Sequence, residues 1–360
     1  MHDPASPDSR KRRIGSWTLI AAAVTAAAVS FGYVGGWLAP HRLTPEKLVN
    51  QLQDNAGTFA GYRRNHAKGV CVTGYFDSNG HARQYSVAQV FEPGRTPVVG
   101  RFAIPGGNPY APDSSVPIRS MALRFALANG QQWRTGMNSM PVFPVATPQA
   151  FYAQLLAQQP DPATGKPDPA KVAAFFAAHP ETAAFRAWAK TAKPSASFAT
   201  ENYWSLDAFV FVDAAGRRQP VRWRMVPEAT DVHAGKAGDA DYLASDLAAR
   251  LAQGPLRWQL QVTLANPGDP TNDATKTWPD DRRTIDAGTL VLEHTEPQDS
   301  GPCRDINYDP LVLPAGIAAS DDPLLPARSA AYADSYLRRT SEEARLPGTA
   351  AAHTPVEKTR

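Results

Sequence analysis

Between residues 69 and 143 the chain breaks into short β-rich runs separated by turn signals, and no other stretch restricts the fold as tightly. Val70 to Phe76 ends in Asp77-Ser78-Asn79-Gly80, which predicts a hairpin. Tyr85 to Phe91 ends at Pro93-Gly94, Pro97 to Phe102 at Pro105-Gly106-Gly107, and Met121 to Leu127 at Asn129-Gly130. Such spacing predicts an antiparallel sheet or barrel. Further strands are expected at Leu206 to Val212, Val221 to Met225, Trp258 to Leu264 and Thr289 to Leu292. Helices interrupt them. The first, within residues 40 to 60, has Thr44 as N-cap, Pro45 at the first helical position, Glu46 at the positive end and an apolar stripe of Leu48, Val49 and Leu52. Residues 147 to 193 form a helical region opened by Thr147-Pro148 and Asp168-Pro169 and carrying Phe151, Leu155, Phe175, Phe176 and Phe185; a third helix runs from Asp241 to Ala252 and closes at Gly254. The class is α+β. With 360 residues, 43% of them hydrophobic, and no internal repeat, one catalytic domain over residues 40 to 346 is expected, followed by a disordered polar tail, 347 to 360.

The start of the chain is different. Residues 1 to 13 end in the basic run Arg10-Lys11-Arg12-Arg13, and Ile14 to Ala39 then contains no charged residue over 26 positions. That length crosses a hydrocarbon core of about 30 Å, and the basic flank belongs on the cytoplasmic side. A cleaved signal peptide is the competing reading, with Ala26-Ala27-Ala28 or Trp37-Leu38-Ala39 available to a peptidase. Because the run exceeds an ordinary apolar signal core, an uncleaved anchor in the inner membrane is expected, with the remainder on the extracytoplasmic side. The net charge of +3 includes no basic stripe beyond the N-terminal run, which excludes a nucleic-acid binder. Two cysteines, Cys71 and Cys303, make no disulfide scaffold. In an oxidising compartment they can pair; as Cys71 lies in a strand-like run, two buried thiols are expected.

Three separated features carry chemistry. Arg328 and Tyr332 stand four residues apart, which on a helix puts them on one face. A free phenol titrates near pH ~10, and a guanidinium beside it stabilises the phenolate, an oxygen ligand for iron. His66 sits at the mouth of the first strand, where a neutral imidazole can shuttle protons. Asn138 is a polar, non-titrating side chain in the apolar setting Gly136-Met137-Asn138-Ser139-Met140-Pro141-Val142-Phe143. Each alone has an ordinary structural reading: a surface helix pair, a polar strand end, a turn residue.

Together they resemble the haem catalases. Arg63 to Phe76, with His-Ala-Lys-Gly and Gly-Tyr-Phe, is similar to that family's distal-histidine segment, and Trp133 to Phe143 to its distal-asparagine segment. Ile306 to Ile317, Pro323-Leu-Leu and Arg328 to Arg339 resemble the proximal segment; Trp278-Pro279 and Leu290-Val-Leu292 resemble the region before it. The likeness spans about residues 44 to 339 in the family's order. With a membrane segment and neither the long amino-terminal arm nor the carboxy-terminal domain of ordinary catalases, the chain is most similar to the catalase-related peroxidases. The resemblance implies a catalase-type antiparallel β-barrel with flanking helices that binds haem, as haem b. It further implies Tyr332 as iron ligand, Arg328 as the group that keeps it ionised, and His66 with Asn138 as the distal pair. Arg63, Arg101 and Arg339 match the propionate-binding arginines, and Phe143 and Phe151 the aromatics of the pocket and channel.

The implied reaction is peroxide reduction: His66 moves the peroxide proton, Asn138 holds the peroxide, and a small-molecule or protein donor supplies electrons. Several residues depart from the family pattern. Ala103 stands where the family has a serine on the distal histidine, so the imidazole must be oriented otherwise. Pro117 stands where true catalases carry an acidic channel residue, and Asn65 replaces an apolar residue, which is expected to make the pocket more polar. Asp280 occupies the place of a nicotinamide contact, so no NADPH is expected. A peroxidase with weak catalase activity, protecting against oxidative stress, follows. The alternatives are a haem enzyme acting on fatty-acid hydroperoxides and a non-catalytic haem carrier.

Overall fold

The computed structural model describes residues 7–35, 38–39, 42–230 and 239–345, and the chain divides into two compact units after Leu48. In the first unit, helix α1 (Pro7–Val34) includes the basic run and the apolar segment as far as Val34. Its window Trp17–Val34 has mean hydropathy 1.6 and is 6% buried, so by length and composition it can cross a membrane. A second helix, α2 (Pro45–Ala56), begins as its sequence requires: Lys47 N donates to Thr44 Oγ1 at 3.3 Å.

The second unit is built from the strands β1 (Gly69–Ser78), β2 (Gly94–Ala103), β3 (Ser120–Ala126) and β4 (Gln132–Asn138), then helices α3 (Pro148–Ala157), α4 (Pro169–Ala178) and α5 (Ala183–Ala189). After these come β5 (Tyr203–Trp204), β6 (Phe209–Val212), β7 (Arg218–Pro227), α6 (Tyr242–Leu251), β8 (Leu256–Leu264), β9 (Thr284–Pro297), β10 (Ile317–Ala319) and α7 (Leu324–Glu343). All strand pairings are antiparallel. Neighbours run β1, β2, β3, β4, β5, β7, β8, β9 and back to β1, so eight strands close a barrel while β6 and β10 extend from β7. Closure removes the unpaired edges of an open sheet. This is the barrel that the run spacing predicts.

Pleating sends alternate side chains to opposite faces. Met121, Leu123 and Phe125 of β3, and Trp133 and Met137 of β4, fill the barrel with Phe102, Trp223 and Trp258. Their rings interlock: Phe125 stacks on Trp133 at 4.6 Å between centroids, and Trp133 meets Trp223 edge-on at 5.1 Å.

Two sequence expectations fail. Asp77 to Gly80 is not a tight hairpin: Ser78 pairs with Gly94, and the intervening residues form 3-10 turns at His81–Gln84 and Gln89–Phe91, so Tyr85 to Phe91 is not a strand. The apolar residues there plug the barrel instead, with Phe91 packed on Trp133 and Phe211 at 5.8 and 5.0 Å. Nor are the cysteines free thiols: Cys71 and Cys303 form a disulfide that ties β1 to the loop between β9 and β10. The tail, 347 to 360, lies outside the described residues.

A cross-link over 232 residues restricts the unfolded chain strongly, by about 5.5 kcal/mol in the chain-entropy picture. The Cys71→Ala/Cys303→Ala double variant is therefore expected to melt well below wild type in calorimetry, and the difference should vanish when both proteins are reduced.

Candidate functional site

Residues of β2, β3 and β4 that point away from the core are aligned in rows by the antiparallel register. Ala103, Ser120 and Asn138 form one row; Arg101, Ala122 and Gly136 the next; Val99, Arg124 and Arg134 a third. Of the residues singled out in the sequence, Arg101 and Asn138 lie in these rows.

His66 precedes β1 in a left-handed backbone conformation, φ 55°, which few non-glycine residues adopt. Asn65 clasps it. Asn65 Oδ1 accepts from His66 N at 2.9 Å and from Gly106 N at 2.8 Å. Asn65 Oδ1 is thus engaged in holding backbone. The segment is further tied to α7: Arg64 pairs with Glu342, and Gly61 N donates to the same carboxylate at 3.0 Å.

The His66 ring lies with Nδ1 3.2 Å from Ser120 Oγ, and Ser120 donates to Asn138 Oδ1 at 2.6 Å. One hydroxyl therefore links both distal candidates, and the orienting group missing at Ala103 comes from the directly opposite residue of the next strand. Burial, then the charges of Arg101, Arg328 and Arg63, push the His66 pKa down to about 3. The ring is neutral at ordinary pH and holds one N–H and one lone pair.

From α7, Arg328 and Tyr332 reach the Gly136 row. A Cβ placed on Gly136 would lie 3.5 Å from Arg328 Nη2 and 3.7 Å from Tyr332 Oη, so glycine leaves both groups a shared recess. Arg328 donates to Gly136 O at 3.4 Å and pairs with Asp207, which is 1% exposed. Burial opposes the Arg328 charge, but Asp207 and Tyr332 outweigh it and raise its pKa. Leu206, just before Asp207, shares with His66 a left-handed backbone (φ 65°). Among the described residues these are the non-glycine positions with positive φ, and both flank the site, where backbone strain is most often retained.

Arg63 and Arg101 are held by carbonyls and an amide. Arg63 Nη2 donates to the carbonyls of Cys303, Arg304 and Ile306 at 3.0–3.1 Å; Arg101 Nη2 donates to Ala67 O at 3.1 Å and Gln298 Oε1 at 2.5 Å. Arg339, 2% exposed, shares the Arg304 carbonyl at 2.7 Å and approaches Glu343 at 3.5 Å. Burial and then Arg339 lower the Arg63 pKa to about 10; burial and then Arg63 lower that of Arg101. Phe143 and Phe151 pair at 5.8 Å but pack with Val145, Ala150 and Phe175 in a separate cluster, apart from the arginines.

Sequence reading missed Ser120, Asp207 and Asp322. Asp207 was visible as an acid inside the apolar run Leu206 to Val212, and Asp322 as a possible cap, since it accepts from Leu324 N at 2.9 Å. Ser120 carried no local signal. Burial, then the charge of Asp207, raises Asp322 to about 7, and its Oδ2 is buried without a partner.

A closed eight-stranded antiparallel barrel, a half-buried histidine and asparagine on its outer face and a helix presenting Arg-x-x-x-Tyr define the class of catalase-fold proteins. The catalase profile matches residues 39–359, and the chain belongs to the catalase family; it is an oxidoreductase. It is 39% identical over 329 residues to a catalase-related peroxidase of Synechococcus elongatus, covering 90% of this chain and 96% of that one. A catalase-related peroxidase of Mycolicibacterium paratuberculosis is 30% identical over 305 residues, covering 83% and 95%. A solved bacterial catalase superposes with a TM-score of 0.69 at 24% identity, covering 86% of this chain and 63% of its own.

Haem is the family's cofactor, and the residues present fit it. Arg63 and Arg101 form no ion pair with a carboxylate among the described residues, and Arg101 Nε is buried without a partner. Two neighbouring cations in this state, Arg101 buried and Arg63 half-buried, call for anions such as propionates. The bare Gly136 recess, with Tyr332 and Arg328 beside it, supplies an oxygen donor and a compensating charge.

Removing the Arg328 partner leaves a buried charge unpaired, so Asp207→Asn is expected to cost about 3–5 kcal/mol in denaturant unfolding. Asp322 binds its proton more tightly folded than unfolded, so its contribution falls as pH rises from about 4 to about 7. Asp322→Asn should accordingly gain stability over wild type across that interval, and a pH-independent difference would contradict the assignment.

Proposed function

We propose that the protein is a haem-dependent peroxidase that reduces hydrogen peroxide or an organic hydroperoxide with an external electron donor, has weak catalase activity and protects against oxidative stress. The observation that carries this reading is the convergence of a neutral His66, linked through Ser120 to Asn138, with Arg328 and Tyr332 on one barrel face. Bound haem, as haem b, would supply the redox chemistry. Tyr332 would hold the iron through its phenolate oxygen, with Arg328 stabilising that charge. Arg63, Arg101 and Arg339 would hold the propionates by charge-assisted hydrogen bonds. Phe143 and Phe151, already paired, would line the approach to the site.

His66 takes the proton of the incoming peroxide and returns it to the departing oxygen, which leaves as water or an alcohol. Asn138 holds the peroxide by hydrogen bonding, which fixes its position relative to the imidazole. The donor completes the balance with two electrons, and two further protons from the donor or solvent convert the remaining peroxide oxygen to water. Of the departures from the catalase pattern, Ala103 and Asn65 lose weight as arguments against catalase turnover, because Ser120 orients the ring and Asn65 is a backbone clasp. Pro117, in place of an acidic channel residue, still favours an external donor over a second peroxide.

The location is part of the proposal: α1 anchors the protein in the inner membrane with Arg10 to Arg13 in the cytoplasm and the haem domain outside it. The Cys71–Cys303 disulfide suits that oxidising side.

Absorption spectra of the purified protein should show a high-spin ferric haem that peroxide alters and an added donor restores; an unchanged spectrum in Tyr332→Phe would remove Tyr332 as the ligand. In His66→Ala, donor-dependent peroxide consumption is expected to fall by about 10²–10⁴-fold; rearranged fatty acid formed from a lipid hydroperoxide without donor consumption would point to the hydroperoxide-processing alternative.

A further inference from the structure

Ser120 is 8% exposed, and its hydroxyl stands between two side chains of different hydrogen-bonding capacity. A hydroxyl has one proton to give. Asn138 Oδ1 can only accept, so at 2.6 Å it takes that proton. Ser120 Oγ is then left with lone pairs toward His66 Nδ1, 3.2 Å away, and a contact there requires the imidazole proton to be on Nδ1. In a neutral imidazole the lone pair is thereby confined to Nε2. The same bond turns Oδ1 of Asn138 inward, which leaves its two N–H donors for a ligand. With the hydroxyl reversed, both partners would change polarity: Asn138 would present an acceptor, and His66 an Nε2–H unable to take a proton. No hydroxyl is available from β2, where Ala103 stands directly opposite Ser120.

We propose that Ser120 is a positioning residue that sets the polarity of the distal side, keeping the His66 proton on Nδ1 and the Asn138 amide turned outward, so that Nε2 acts as base and Nδ2 as donor. The inference rests on the proposed haem reading for its chemical consequence, while the tautomer itself does not.

Two measurements on the full-length protein test it. The first is cyanide binding to the ferric haem-loaded protein, followed by absorption: hydrogen cyanide must surrender its proton to a base near the iron, so the association rate reports the Nε2 lone pair without turnover. Ser120→Ala is expected to slow association by about 10–100-fold, the usual effect of losing a group that orients an active side chain. Ser120→Thr, which keeps the hydroxyl, should remain near wild type. An Ala103→Ser/Ser120→Ala variant should recover much of the rate, because residue 103 faces the same point from the opposite strand. In a His66→Ala background, Ser120→Ala should have no further effect. Wild-type rates in Ser120→Ala, or equal losses in the Ala and Thr variants, would overturn the proposal.

The second measurement assigns the protonated nitrogen of His66 by ¹⁵N NMR of histidine-labelled protein without haem. The Nδ1–H form is expected in wild type and Ser120→Thr, and a mixture of tautomers in Ser120→Ala. An Nε2–H form in wild type would overturn the proposal even if the protein binds no haem, whereas absence of haem binding with the Nδ1–H form intact would count against the functional reading alone.

Discussion

The site depends on the pairing register of β2, β3 and β4. Because side chains alternate across a strand, a shift of one residue in any of these pairings would exchange Ser120, Arg124, Gly136 and Asn138 with Met121, Phe125, Trp133 and Met137. The large rings that interlock inside the barrel prevent such a slip, since it would expose Trp133 and Phe125 and bury charge. The aromatic core is therefore what keeps a polar row intact on the opposite face.

Electrostatics across that face follows one pattern. Arg101 is buried and Arg63 half-buried, with carbonyls and an amide for company; burial first, and then neighbouring arginine charge, weakens their protonation and holds His66 neutral. Arg328 differs because Asp207 compensates it. The positive charge accumulated by the fold is thus matched on the α7 side and unmatched where anionic cofactor groups would lie. A carrier without peroxide chemistry would have no need of the neutral imidazole and its hydroxyl bridge.

Errors in the sequence reading share a physical cause. Tyr85 to Phe91 has the apolar content of a strand, but three-dimensional demand for a plug decided its conformation, since Phe91 finds better packing in a turn against Trp133 and Phe211 than in a ladder. At Asn65, where a polar side chain replaces an apolar one, the carbonyl is taken up by the backbone of His66 and Gly106, a left-handed bend that only the folded chain reveals. Ala103 looked like a loss, and register explains how Ser120 makes it good.

By itself the sequence determined the strand texture, the capped helices, the apolar N-terminal helix and the positions of His66, Asn138, Arg328 and Tyr332, because each is written in a local pattern of a few residues. Tertiary structure alone decided the closure of the barrel, the Cys71–Cys303 bond, the Arg328–Asp207 pair and the bridge from His66 to Ser120. Those contacts join residues separated by 232, 121 and 54 positions. No periodicity or short motif encodes such separations. They exist because packing the aromatic core fixes the strands in register and α7 against them.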